Sequence, residues 1–119
     1  MNRRFALIAL AAFGLFGTIA AAQADDPVNE AIWKKYWMAI EAEKSCKNTA
    51  FSQGQYDAMV HVINQRINFD LGAGVRRGLM GDAKTQVQDM TFKYGCSDPR
   101  VQELLALYET DLFPVTGVH

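Results

Sequence analysis

Apolar residues recur along this chain at intervals of three and four, and each such stretch carries its own start signal. Val28, Ile32, Tyr36, Ala39, Ile40 and Cys46 share one arc of a helix, widened on one side by Trp33 and Trp37. Asp26 and Pro27 open it, since a first helical position loses nothing with the missing proline N–H. It is predicted to run to about Asn48.

A second helix begins at Ser52. Ser52 and Gln55 match a capping box, and Phe51 and Tyr56 are placed to staple the chain as it enters. Tyr56, Met59, Val60, Ile63 and Ile67 then keep helical spacing. The stretch 71–81 reads two ways: glycines at 72, 74, 78 and 81 argue for a loop, whereas Leu71, Val75 and Leu79 keep a spacing of four. A third helix is predicted after Asp82, with Ala83, Val87, Met90 and Tyr94 on one face and Gly95 as its stop. Asp98 and Pro99 start a fourth, striped by Val101, Leu104, Leu105, Tyr108 and Leu112 and ended by Pro114. Residues 114–119 read as a loose tail.

No alternating stretch predicts a strand, and the short connections favour antiparallel neighbours. The expected fold is all-α: a compact bundle of four or five short helices with one intramolecular disulfide.

The N-terminus changes the setting of that bundle. Met1-Asn2-Arg3-Arg4 precedes an apolar run from Phe5 to Phe16, then Gly17, Thr18 and a small-residue approach to Ala22-Gln23-Ala24. Signal peptidase requires small side chains one and three residues before its cut, so residues 1–24 read as a signal peptide cleaved after Ala24. Phe5–Ala22 approaches the length of a spanning helix. The internal glycines, the Ala-x-Ala site and the acidic start at Asp25-Asp26-Pro27 favour cleavage over a retained anchor. The mature chain, 25–119, is then a single domain with no membrane span, exported by the Sec route to a bacterial periplasm or onward to the medium.

Loss of Arg3 and Arg4 leaves 10 basic and 13 acidic side chains, a net charge of −3. Such a mildly acidic balance lacks the footprint of a nucleic-acid binder. The only cysteines, Cys46 and Cys96, read as a disulfide in an exported chain.

Chemistry is sparse. The histidines, His61 and His119, sit opposite a core stripe and at the last residue, away from any ligand cluster. Cys-x-x-Cys-His and Gly-x-Ser-x-Gly are missing, and Met59 and His61 diverge on their helix, so no cofactor and no catalytic constellation are expected. Gly72–Gly78 (GAGVRRG) lacks the lysine and hydroxyl of a phosphate loop, though its Arg76 and Arg77 are candidates for an anion or partner contact. Glu43 projects from the middle of the first helix's apolar arc. A carboxylate there must find a partner, emerge at the core's end, or carry a raised pKa, which makes it a candidate pH-sensitive group.

Apolar residues outside the stripes give a candidate partner surface: Trp33, Trp37, Val62, Phe69, Phe92 and Leu107, with Arg76 and Arg77. A domain this small does not bury them all, and an apolar remainder marks a partner or a dimer interface. The layout of export signal, short helical domain and cysteines at 46 and 96 resembles that of the acid-stress periplasmic chaperones of enteric bacteria, which are one-disulfide helical dimers. Periplasmic immunity proteins share it. The resemblance is one of layout, and no residue is carried over from it. The expected function is non-enzymatic binding of another protein, as an inhibitor, immunity protein or envelope-assembly partner. An acid-responsive chaperone is the alternative, and a small-molecule carrier or enzyme a third.

Overall fold

The computed structural model describes residues 26–119, so the expected signal peptide and its cleavage point lie outside the described residues. The described residues form an all-α globule closed by a Cys46–Cys96 disulfide. That bridge closes a loop of 50 residues, which in the chain-entropy account stabilises the fold by roughly 4 kcal/mol.

Helix α1, Pro27–Lys47, starts where Asp26 accepts the Val28 N–H at 2.8 Å. It ends at Asn48, which takes the left-handed conformation, and Lys44 and Lys47 complement the negative end of its dipole. Helix α2, Gln53–Arg66, shows both bonds of the capping box. Gln55 N–H donates to Ser52 Oγ at 3.2 Å, and Ser52 N–H donates to Gln55 Oε1 at 2.8 Å. The Phe51 and Tyr56 rings meet edge to face at 5.5 Å, as the staple requires. Helix α4, Pro99–Leu107, is capped by Asp98.

The ambiguous stretch resolves as helix. Helix α3 runs unbroken over Ala73–Tyr94, rather than starting after Asp82. Its spacing of four continues from Val75 and Leu79 into the buried Ala83 and Val87, so one inward stripe spans the whole length. Gly74, Gly78 and Gly81 stand in open space, so they weaken the helix without interrupting its packing.

The C-terminus also departs from the reading. Pro114 does not stop the chain. A wide π turn over Tyr108–Leu112, in which Phe113 N–H bonds the Tyr108 carbonyl, leads into a further helical turn, α5, Phe113–Thr116. Pro114 has no N–H for the carbonyl four residues back and its ring would collide there, and the wider turn relieves both problems. Residues 114–119 then fold back rather than hanging free. The Tyr108 hydroxyl donates to the Val118 carbonyl and lies 2.7 Å from Thr116 Oγ1. His119 stacks on Phe113 at 4.0 Å and sits 3.2 Å from Glu109.

Helix α1 is the axis of the fold. It packs along α3 and also meets α2, α4 and the π turn, so its middle is enclosed on nearly every side. Ala39 and Ala42 are fully buried, and their small side chains let neighbouring helices come close. Ile40, Met59, Ile63 and Ile67 fill the core around it, each burial contributing about 1.5–3 kcal/mol. One neighbour relation is missing. Despite their short connection, α2 and α3 hardly touch each other, and both lean on α1 instead.

Candidate functional site

The gap between α2 and α3 is a groove of about 550 Å³, within the range of ligand and peptide sites. Trp33, Trp37, Glu41 and Lys44 of α1 line its floor. Gln53, Tyr56, Asp57 and Val60 form the α2 wall, and Ala73, Arg76, Arg77 and Met80 form the α3 wall.

Its aromatic floor is continuous. Trp33 and Trp37 lie 6.0 Å apart, and Trp37 stacks on Tyr56 at 6.2 Å. Through Tyr56, Phe51 and Tyr108 the contacts run on into the core beneath the C-terminal turns. The Trp33 indole donates to the Arg76 carbonyl at 3.0 Å, while the Arg76 guanidinium lies 5.5 Å from the same ring. Arg76 is thereby held in place as a cation over an aromatic face.

The charges of the two walls differ. On the α1 and α2 side each acid has a partner: Lys44 pairs with Glu41 at 3.5 Å, and Gln53 donates to Asp57 at 2.9 Å. Burial alone would lower the Lys44 pKa, but the Tyr56 hydroxyl and the Glu41 carboxylate outweigh it and hold the ammonium above its ordinary value. On the α3 side, Arg76 and Arg77 make no ion pair among the described residues. Two buried donors at the groove also lack acceptors, Trp37 Nε1 and Arg76 Nε.

The structure therefore gathers four of the predicted surface residues, Trp33, Trp37, Arg76 and Arg77, and separates the rest. Trp33 and Trp37 are not edge residues: only 1% and 5% exposed, they belong to the core, because a central helix buries more than one face. Val62 is half-buried against that core. Phe69 is 61% exposed at the turn between α2 and α3, where both it and Asn68 take positive φ. Phe92, 90% exposed, lies near the far end of α3. Leu107 lines smaller hollows on another face of α1, where Lys35 pairs with Glu103 at 3.1 Å and Tyr36 donates to Asp111 at 2.5 Å. Burial, with that bond to Asp111 added, raises the Tyr36 pKa above its ordinary value.

Tyr56, Met80 and the Glu41–Lys44 pair escape a reading by periodicity, which assigns Tyr56 to a staple and gives the others no role. Glu43 sits apart from the groove, fully buried. It does find partners: Thr49 donates to its Oε1 at 3.3 Å, and Lys47 lies 3.9 Å from Oε2. No protein-family model, curated protein or solved structure matches this chain, so the site is argued from its own residues.

Proposed function

We propose that this protein is a non-catalytic binding module of the bacterial periplasm, whose groove between α2 and α3 holds a segment of another protein. The observation that carries the reading is the groove left between two helices that do not close over it, with Trp33 and Trp37 buried beneath its floor and Tyr56 half-buried in its wall. Aromatic and arginine side chains in one concave site are the common anchors of protein recognition. The disulfide supports an oxidising compartment, and among the described residues no helix is long and apolar enough to cross a membrane.

Site-directed photo-crosslinking in the producing cell tests it. A photoreactive residue at Gln53, on the groove rim, is expected to trap one defined partner, and the same residue at the exposed Lys84 is not. The purified partner should then bind the purified mature chain. Crosslinks of equal yield from both positions, or a chain still beginning at Met1 with free thiols, would defeat the reading.

The burial of Glu43 supports a second reading, a chaperone loosened by acid. It predicts reversible gain of apolar-dye binding below about pH 4, where carboxylates protonate. Dye binding that stays flat to that pH ends it.

A further inference from the structure

Hydrogen-bonding capacity in the groove is lopsided. Its acids are engaged on the α1 and α2 side, whereas donors stand without acceptors on the floor and the α3 wall. Trp37 is 95% buried and lines the groove, yet its Nε1 has no partner, and neither has the buried Nε of Arg76. A buried donor left unpaired is costly, so such a cluster is met either by water or by a ligand that brings acceptors.

The same end of the groove carries uncompensated positive charge. Helices α1, α2 and α4 each begin with a side-chain cap. Helix α3 begins at Gly72 without one and has no acid in its first turn, where Arg76 and Arg77 follow directly. The nearest acid before it, Asp70, is engaged by Asn29 at 3.3 Å. Two guanidinium groups therefore add to the positive end of a 22-residue helix rather than offsetting it. Among the described residues nothing within salt-bridge distance neutralises them.

We infer that the α3 end of the groove recognises a carboxylate borne beside an apolar side chain, supplied by an Asp or Glu of the bound protein segment. This rests on the binding reading above and deepens it. The apolar side chain lies on Tyr56 and Met80, over the buried Trp33 and Trp37. The carboxylate accepts from Arg76 and Arg77, a charge-assisted contact whose geometry suits the planar guanidinium. The counter-charge that the α3 wall lacks thus arrives with the ligand.

The chain carries a built-in reporter, because its two tryptophans both line the groove. Tryptophan emission of the purified mature protein is titrated with acetyl-Ala-Leu-Phe-Glu-Glu-amide, with its Lys-Lys counterpart, and with free phenylbutyrate and phenylbutylamine. The acidic peptide is expected to saturate the signal and the lysine peptide to leave it unchanged. Arg77→Glu, on an exposed side chain, should weaken acidic-peptide binding by about tenfold or more. Arg76→Met, which keeps the stem over Trp33, should also weaken it, with circular dichroism unchanged in both variants.

Equal binding of the two peptides, no binding by any probe, or variants that bind like the parent would overturn the inference. Binding of phenylbutyrate with neither peptide would replace the protein segment by a small acid and overturn the stated occupant. If the acidic peptide binds selectively but the Gln53 crosslinker traps no protein, carboxylate recognition stands and the cellular-partner reading alone falls.

Discussion

The Trp33 indole N–H donates to the backbone carbonyl of Arg76 at 3.0 Å, across 43 residues of sequence. This one bond ties the axis helix to the first turn of α3 and sets Arg76 over the ring that donates it. Trp33→Phe keeps an aromatic ring but removes the donor, while the Arg76 carbonyl keeps its place in the ladder of α3. A loss of about 0.5–1.5 kcal/mol in urea unfolding is expected. An unchanged midpoint would mean that the bond holds nothing together.

Much of the fold was legible because start signals are local. Asp26, the Ser52–Gln55 box and Asp98 each bond a backbone N–H within three residues, so sequence alone locates those helix starts. What escaped depends on neighbours that sequence does not display. The burial of Trp33 and Trp37 follows from α1 being wrapped by several helices, and a single hydrophobic arc carries no trace of that. The unbroken α3 was hidden by glycines whose propensity cost is outweighed by the Val75–Leu79–Ala83–Val87 stripe. The groove needed two facts together: α2 and α3 both dock on α1, and they do not meet. Arg76 and Arg77 were readable as a candidate contact, but their unpaired state is a property of the assembled site.

Opening the disulfide tests how far so small a core stands alone. Replacing Cys46 and Cys96 together by Ala releases a loop of 50 residues in the unfolded chain. The expected loss is roughly 4 kcal/mol, a large share of the stability of a domain this size. The denaturant midpoint should fall steeply, with helical content at low denaturant retained or nearly so. A loss under about 1 kcal/mol would show that the unfolded chain is already compact without the bond.

Glu43 is the one carboxylate among the described residues with no exposure, and its partners are few. Lys47 stands 3.9 Å away and is itself 42% exposed, so it repays little of the cost of burying a charge. Glu43→Gln keeps an oxygen for the Thr49 hydroxyl and removes that charge without stranding the lysine in the core. It is expected to stabilise the domain by about 1 kcal/mol, whereas Glu43→Ala, which leaves a cavity and an unpaired Thr49, should destabilise it by about 2 kcal/mol. Thermal melts of the two variants at neutral pH check the ordering. If Gln costs as much as Ala, the charge itself is stabilising and its environment is more polar than the contacts indicate.

The alkaline limb of stability should report the two buried tyrosines. Burial raises the pKa of Tyr36, reinforced by its bond to Asp111, and burial likewise raises that of Tyr108, with the charge of Glu43 adding to it. An unfolded tyrosine loses its proton near its ordinary value of 10.0, while the folded side chain still holds it. Above that pH the folded state therefore binds more protons than the unfolded one, and stability falls as pH rises. The contribution is whole below about pH 10 and is lost as pH climbs through the folded values. Tyr36→Phe removes one of the two proton-linked terms, so its stability should decline less steeply above about pH 10 than that of the parent. At neutral pH the variant should be weaker by about 1 kcal/mol, having lost the bond that holds the π turn at Asp111 to α1. Urea midpoints measured from neutral pH into the alkaline range resolve both effects, and parallel curves for parent and variant would show that Tyr36 ionises alike in folded and unfolded chains.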